Sequence, residues 1–584
     1  MKDAKLIILF ILISLTCSVI TKAEDAGAIV SWGAIAFDSK ELDANDFVAI
    51  SAGNEYTLAL KSNGSIVSWG MNDYEQAIPP DGNDFVAISA GYDHSLALKS
   101  DGSIVGWGNN YSDYLRANYS GQATPPDGND FIAISAGFNY SLALKEDGSI
   151  VGWGMNDDGQ AIPPDGNDFV AIAAGGWHSL ALKPDGSILC WGDNNSGQAT
   201  PPDGNDFVAI AAGRNHSLAL RSDGSIVGWG ENDLGQATPP DGNDFIAISA
   251  GRSYSLALKK DRSIVVWGSN DRRWTTANIT PPPDGNDFVA IASGGYHCLA
   301  LKSDGSIVGW GDNDNLQANA PVGTDFVAVD VGGYQVIGTF YIPPYRNGVA
   351  LRKDGSIIGW GIAREPPLGN DYVAITAGNG HNLALKSNGS VVGWGENDYG
   401  QATSPDGNDF VAIAAGGYHS LALKSNGSIV GWGLNKFNQD IPPDGNDYVA
   451  IAAGTTYSLA LKANGSVVGW WYDYGTLPVG NDFVAIAAGG YHNLALKSDS
   501  SIIGWGDNYY GQATPPDGND FVAISAGDSH SLALKTDGSI VCWGINYLGL
   551  AIPPEGNNFI AIAAGHEQSL AIRKEPEPSE SAED

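Results

Sequence analysis

Nine histidines punctuate this chain, and eight of them hold one repeated place. His94, His178, His216, His297, His381, His419, His492 and His530 each stand two residues before a Leu-Ala-Leu segment; His566 is displaced by two positions. A ring of imidazoles is suited to metal binding or proton transfer. Tyr56, Tyr140, Tyr254 and Tyr457 fill the same place elsewhere, however. A position that accepts phenol so readily predicts a repeated hydrogen-bonding residue at a strand entry rather than an obligatory ligand. Adjacent His-Ser pairs recur in several copies, whereas a catalytic triad needs one site with an orienting acid. The Pro-Asp-Gly-Asn-Asp loops, such as Pro80–Asp84, hold carboxylates but lack the distal bidentate Glu and the ligand alternation of a calcium loop. Turn chemistry accounts for their Asp, Gly and Asn. The sequence shows no carboxylate pair set apart from the repeated acids, and no phosphate loop, zinc motif or nucleophile elbow. We assign no catalytic residue, metal or cofactor, and read the chain as non-enzymatic.

The elements that carry these residues recur down the chain. An aromatic after Asp or Asn marks each copy: Phe47, Phe85, Phe131, Phe169, Phe207, Phe245, Phe288, Phe326, Tyr372, Phe410, Tyr448, Phe483, Phe521 and Phe559. Nine of the thirteen steps are 38 residues long. Each copy holds three strand-like runs, here called a (FVAISAG), b (HSLALKS) and c (SIVGWG), rich in residues that favour pleated structure. Asp-Gly or Asn-Gly between b and c predicts a tight hairpin with both central residues at positive φ. Each copy is therefore an antiparallel meander with two largely apolar faces, which can be buried only between like sheets. That is the logic of a β-propeller.

The chain opens on a lone c strand, Gly27–Gly33 (GAIVSWG), and its last copy has a and b but no c. An early strand that completes a late blade is the usual way to close a propeller. Fourteen blades exceed one ring, so the fold expected is all-β: two tandem seven-bladed β-propellers, each latched by an N-terminal strand. On this reading Ile29–Trp32 completes the Phe288 copy and Ile307–Trp310 opens the second ring. The domains expected are 1–23 signal peptide, 27–303 first propeller, 304–574 second propeller and 575–584 acidic disordered tail.

The motif Gly-x-x-His-Ser-Leu-Ala-Leu, followed by Asp-Gly-Ser-Ile-Val-Gly-Trp-Gly and often Gly-Gln, as in Gly213 to Gln236, resembles the regulator of chromosome condensation repeat family. The unit is similar in length to secreted bacterial propellers of that family, including the propeller-type β-lactamase inhibitor. The family includes guanine-nucleotide exchange factors and pure binding proteins, so the resemblance implies the fold and not the activity. No functional residue is carried over.

Lys2 and Lys5, an apolar run from Leu6 to Ile20 and the small-residue site at Thr21-Lys22-Ala23 read as a secretory signal cut after Ala23. A lipid anchor at Cys17 is the alternative, though Ser14-Leu15-Thr16 is a poor lipobox. No other run is long enough to span a bilayer. The expectation is a secreted or periplasmic, monomeric protein. A formal charge of −36 argues against nucleic acid as partner. Cys190, Cys298 and Cys542 make no disulfide framework and read as small apolar residues.

Strand order predicts that the a–b turn and the segment after strand c lie on one side, and the b–c hairpins and the start of strand a on the other. The second side is monotonous. The first varies, with Tyr92, Phe138, Trp177, Arg214, Arg252, Tyr296, Tyr418 and Tyr491 in a–b turns. Its post-c segments carry Tyr74, Tyr114, Trp274, Tyr399, Phe437, Tyr509, Tyr510 and Tyr547. One enlarged turn, Tyr334 to Asn347, adds Tyr334, Phe340 and Tyr345. Aromatic and Arg residues anchor interfaces, so this side is the candidate surface for an unidentified protein or other macromolecule. Two alternatives are a polymer- or carbohydrate-active hydrolase and, by family analogy, a nucleotide-exchange factor; the signal sequence argues against the latter.

Overall fold

The computed structural model describes residues 20–21, 27–44, 46–111, 119–269, 280–313, 315–316, 318–319, 322–334, 345–361, 365–436, 438–470 and 476–574. The expected three-stranded sheet appears at every marker. In the Phe85 repeat the strands are Phe85–Ala90, His94–Lys99 and Ile104–Gly108. They pair antiparallel in the order a-b-c, with His94 opposite Gly108 and Phe85 opposite Lys99. A bulge between Phe85 and Ala87 puts two successive residues on different sides. Phe85 is buried, while Val86 is half exposed.

The b–c hairpin departs from the expectation. Only its Gly takes a positive φ: Gly102 at 82°, Gly224 at 91° and Gly305 at 84°, with Asp101, Asp223 and Asp304 outside that region. Lys99 N donates to Ser103 O and Gly102 N to Lys99 O, so this is a longer loop with one left-handed residue. Asp101 has a different task. Its Oδ1 accepts from Ser103 N (2.9 Å) and Ser103 Oγ (2.6 Å), which holds its carboxyl below the usual range. Arg262 and Ser500, which stand in the glycine place, are forced to φ 67°.

Consecutive sheets pack face to face. Leu96, Leu98 and Ile104 of one repeat lie against Phe131, Ala143 and Trp153 of the next. Each fully buried Leu contributes about 2 kcal/mol. Adjacent a strands are joined by side chains. Ala90 N donates to Ser51 Oγ, Ala136 N to Ser89 Oγ and Ala174 N to Ser135 Oγ, each at 2.9 Å.

The chain separates into two compact units, one of residues 35–37 and 41–320, the other of 1–34, 38–40 and 321–584. The expected handover at 303/304 is corrected. Ile307–Gly311 pairs with its own neighbour His297–Lys302. Gly27–Gly33 pairs residue for residue with Gln568–Lys574 of the last repeat. A hairpin closed by Ser303–Ser306 costs far less loop entropy than a strand brought from the far end of the chain. The last repeat has no c strand of its own, and its strand b, Gln568–Lys574, takes Gly27–Gly33 on the side left open. Ser39, fully buried, fixes the added strand: Ile29 N donates to its Oγ (2.8 Å), which donates to Gly323 O (2.6 Å). Ile20–Thr21, from the expected leader, pairs with Ala374 and Ile375 on an edge of the Tyr372 repeat. The tail from 575 lies outside the described residues.

A candidate binding face

The histidine place is structural. In the 41–320 unit each such residue reaches the strand b of the following repeat. His94 Nε2 meets Ser141 Oγ at 2.9 Å, His178 meets Ser217 at 2.8 Å and His216 meets Ser255 at 2.9 Å. The phenols of Tyr56, Tyr140 and Tyr254 do the same work from the same place, each donating at 2.5 Å to His94 O, His178 O and His297 O respectively. The seventh link, His297 Nε2 to Thr57 Oγ1 at 3.1 Å, joins the last repeat of this unit to its first. Burial pushes the imidazoles of His94, His178 and His216 down to about 3, so they are neutral. A second belt runs beside the first. The carbonyl of buried Gln76 accepts from Trp107 Nε1 and Ser95 Oγ of the following repeat, both at 2.9 Å, and Gln122, Gln160 and Gln198 repeat the pattern. The sequence reading missed this role, although the recurring Gly-Gln was its signal.

In the 321–584 unit, His381, His419, His492 and His530 link to Ser420, Ser458, Ser531 and Ser569. Asn347 donates to Asn382 Oδ1 at 2.7 Å, and Tyr457 to His492 O at 3.0 Å. Gln568 instead donates to Ser31 Oγ in its own sheet (2.8 Å), and Gly348 stands where the other repeats carry Ser, Thr, Asn or Cys. His566, two residues before this place, pairs instead with Asp528 (Nδ1–Oδ2 2.5 Å).

The end of strand c lies beside the a–b turn: Met71 N donates to Glu55 O and Asn109 N to Asp93 O. The b–c hairpin lies beside the start of strand a, with Ser100 N on Asp84 O. On that monotonous side the Asp-Phe marker and the last Lys of strand b form a repeated cluster. Lys99 Nζ is 3.2 Å from Asp84 and 5.5 Å from the Phe85 ring, and the same trio recurs at Asp130, Phe131 and Lys145. Most lysines are thus neutralised where they stand.

The a–b turns of the 41–320 unit converge. Phe138 touches Tyr92 (centroids 4.7 Å) and Trp177 (5.6 Å), and the Arg214 guanidinium lies 5.9 Å from its centre. Arg252 covers Tyr296 at 5.0 Å. All six side chains are half-buried. Burial first, then the neighbouring Arg252, lowers the Arg214 pKa. Asp93, buried near Asp73 and Glu55, has its carboxyl raised well above the usual range. Tyr74 lies half-buried just beyond strand c of the first repeat.

The other unit is sparser. Tyr399 and Tyr418 pack edge to face at 5.8 Å. Tyr491 and Tyr509 are exposed, the latter against Tyr510 at 4.8 Å. Trp274, Phe340, Phe437 and Tyr114 fall outside the described residues. The structure places the backbone of Tyr334 and Tyr345 in paired strands. Among the described residues no cluster of His, Cys, Asp and Glu is placed to hold a metal ion.

Repeated three-stranded sheets, linked strand to strand by one recurring belt and topped by variable turns, define a β-propeller repeat protein. The family model described as the Regulator of chromosome condensation (RCC1) repeat matches residues 47–76, 85–113, 131–160, 169–198, 207–236, 288–317, 372–401, 410–439, 483–512 and 521–549. The chain belongs to that family. Among solved structures it is similar to the ectodomain of the Physcomitrella patens receptor kinase CR4, with 23% identity over 46% of this chain and 73% of that one, at a TM-score of 0.39. It is also similar to the ectodomain of the Arabidopsis thaliana receptor kinase ACR4 (22%, 46% and 97%, 0.37) and to Prp20p from Saccharomyces cerevisiae (18%, 49% and 94%, 0.37). No curated protein matches the chain.

Proposed function

We propose that this is a secreted or periplasmic, non-enzymatic binding protein built as two seven-bladed propellers, and that it recognises a protein through its variable a–b turns. The observation that carries the binding reading is the sorting of side chains. One side of each sheet repeats the same Asp, Phe and Lys cluster, while the other gathers Tyr92, Phe138, Trp177, Arg214, Arg252 and Tyr296 into mutual contact. Aromatic and Arg side chains are the usual anchors of protein interfaces.

Ring closure is supported by contacts between terminal repeats. A Cβ on Gly294 would meet Gly53 O at 2.4 Å, as one on Gly213 would meet Gly251 O at 2.6 Å. In the other unit a Cβ on Gly565 would meet Val331 O at 2.9 Å, again between last and first repeats. With closure, strand a lines the channel, because a strands meet a strands. Removal of the leader after Ala23 belongs to the same proposal.

The test immobilises mature 24–584 beside a variant with Trp177, Tyr418 and Tyr491 replaced by Ala, and passes native extracellular extract over both. A protein retained saturably by the first and lost by the second supports the reading. Equal retention by both overturns the face assignment. Seven-fold ring projections in electron micrographs are expected, and any other blade number overturns the closure. Amino-terminal sequencing of the exported protein is expected to begin at Glu24.

A further inference from the structure

The monotonous side of the 41–320 unit carries an apolar feature of its own. The second residue of strand a is Val or Ile in all seven repeats, from Val48 to Val289, and each is 44–54% exposed. The bulge before Ala87 turns Val86 away from buried Phe85, and the same bulge follows Phe131, Phe207 and Phe245. Exposed apolar surface rimmed by polar residues marks an interaction site. The 321–584 unit shows that this place can be covered. It also holds Val or Ile there, but only Val411 and Val449 are exposed and Val327 is fully buried. In that unit Ile20–Thr21 is seated antiparallel on strand a at Ala374 and Ile375, next in sequence to Val373. The fold therefore accepts an extended segment on the edge of strand a. In the 41–320 unit all seven a strands are sheet edges with no further strand beside them among the described residues.

Charge selects the kind of segment. Asp81, Asp127, Asp165, Asp203, Asp241 and Asp284 each stand five residues before one of these exposed aliphatics. All six are exposed, and none has a hydrogen bond or ion pair among the described residues. The cations of this side are committed to a different acid in each repeat, as Lys99 is to Asp84 and Lys145 to Asp130. Further cations among the described residues of this side stand in one hairpin, at Lys260 and Arg262. We propose that this mouth of the 41–320 unit is a second binding site, taking an extended peptide segment that carries Val or Ile beside Lys or Arg. The inference goes beyond the turn face and rests on the closed-ring reading of this unit, which gathers the seven a strands around one channel. The aliphatic side chains of the segment meet the Val/Ile ring, its backbone lies along an a-strand edge, and its cations meet the aspartates. The same aspartates repel nucleic acid and anionic lipid.

The test measures fluorescence anisotropy of labelled, amidated peptides on the full mature chain. The probe reads Lys-Lys-Val-Thr-Ile-Thr-Val-Lys-Lys. One control has Glu for each Lys, and another has Ser for each Val and Ile. The probe is expected to bind about tenfold tighter than either control, and its advantage over the Glu control should shrink at high salt. The Val86→Ser/Val170→Ser/Val208→Ser variant should weaken the probe about tenfold. The Asp81→Asn/Asp165→Asn/Asp203→Asn variant should weaken it about threefold. Val411→Ser/Val449→Ser, in the other unit, should leave it unchanged. Circular dichroism checks that each variant is folded. Equal binding of the probe and either control, no binding at about 1 mM, or an affinity that survives the Val86/Val170/Val208 variant overturns the proposal. An equal loss in the Val411/Val449 variant overturns the choice of unit. Binding to phosphatidylcholine vesicles, or a dimer in sedimentation, that the Val86/Val170/Val208 variant abolishes while the probe shows no preference overturns the peptide as occupant. Seven-fold ring projections without selective probe binding remove this inference alone. Projections of another symmetry remove the closed-ring reading beneath it.

Discussion

The 41–320 unit and the 321–584 unit are built from the same repeat but finished differently. In the first, seven repeats are complete in sequence order and the belt of His and Tyr links has no break, with His297 returning to Thr57. In the second, the last sheet borrows Gly27–Gly33, and its Gln568 turns inward to Ser31. The turns differ too. The first unit gathers aromatics and two arginines; the second holds a Tyr399–Tyr418 pair and an Asp528–His566 pair. One repeat thus yields sheets completed by local hairpins in the first unit and, in the second, a last sheet completed by a segment hundreds of residues away.

The largest expected effect follows from that dependence. Deleting Gly27–Gly33 removes buried Ala28, Ile29 and Trp32 and leaves the edge of Gln568–Lys574 unpaired. Three buried apolar side chains and a full ladder of hydrogen bonds are worth well over about 5 kcal/mol, comparable with the whole stability of a domain. Calorimetry should show one of two transitions lost or greatly lowered, and hydrogen exchange should place the loss in 321–574. Loss within 41–320 instead would reverse the assignment of the opening strand.

Acid is the next probe. His94, His178 and His216 in one unit, and His381, His419 and His530 in the other, are held down at about 3, and His492 at about 4. The folded state keeps them neutral while the unfolded chain takes up protons below 6.5. Stability is therefore complete above pH 6.5 and is lost as pH falls toward 3, at up to about 1.4 kcal/mol per histidine per pH unit. Asp330 in the 321–584 unit has the opposite sign. Its Oδ2 accepts from Ala377 N (2.9 Å), and burial raises its carboxyl to about 7. The folded state then holds a proton that the unfolded chain releases above 3.8. Its contribution is complete at low pH and is lost as pH rises toward 7. Asp330→Asn should steepen the pH dependence of this unit between pH 5 and 7 by up to about 1.4 kcal/mol per pH unit, with the other unit unmoved. An unchanged slope would remove Asp330 from the balance.

Much of this was legible in the sequence. The marker aromatics gave all fourteen sheets, and the interchange of His with Tyr gave the structural role of that place. Two things were not. The handover was misplaced because a c strand of one repeat looks like that of any other; only the competition between a local hairpin and a distant strand decides it. The bonding partner of the histidines lies 39 residues on in the commonest case, as in His178 to Ser217, across a packing surface that periodicity does not reveal. Its signal was present in the Ser, Thr, Asn or Cys that follows the place in every repeat except at Gly348. The hairpin was misread for a different reason: Asp-Gly suits two loop types, and the Ser two residues after the Asp selects the longer one.

A smaller effect separates the two belts. His297→Ala removes a link between the last and first repeats of its unit, whereas Gln568→Ala removes a bond within one sheet. Each should cost about 1–3 kcal/mol, but the pattern should differ. Hydrogen exchange is expected to quicken at both Phe47–Lys61 and Phe288–Lys302 in the first variant. In the second it should quicken only at Phe559–Lys574 and its added strand. The same local response in both would mean that the closing link of the 41–320 unit adds no cooperativity.

The smallest effect tests whether the units share one turn. Arg262 and Ser500 occupy the left-handed place that glycine fills in other repeats, one in each unit, both at φ 67°. An L side chain there costs about 1 kcal/mol, and glycine relieves it while adding freedom to the unfolded chain. Arg262→Gly and Ser500→Gly should therefore each stabilise their own unit by a few tenths of a kcal/mol, up to about 1 kcal/mol. The two gains should match, because Asp261 and Asp499 cap the turns alike, accepting at 2.6 Å from Ser263 Oγ and Ser501 Oγ, each two residues on. A gain in one unit with a loss in the other would show that a shared hairpin sequence is strained differently by its surroundings.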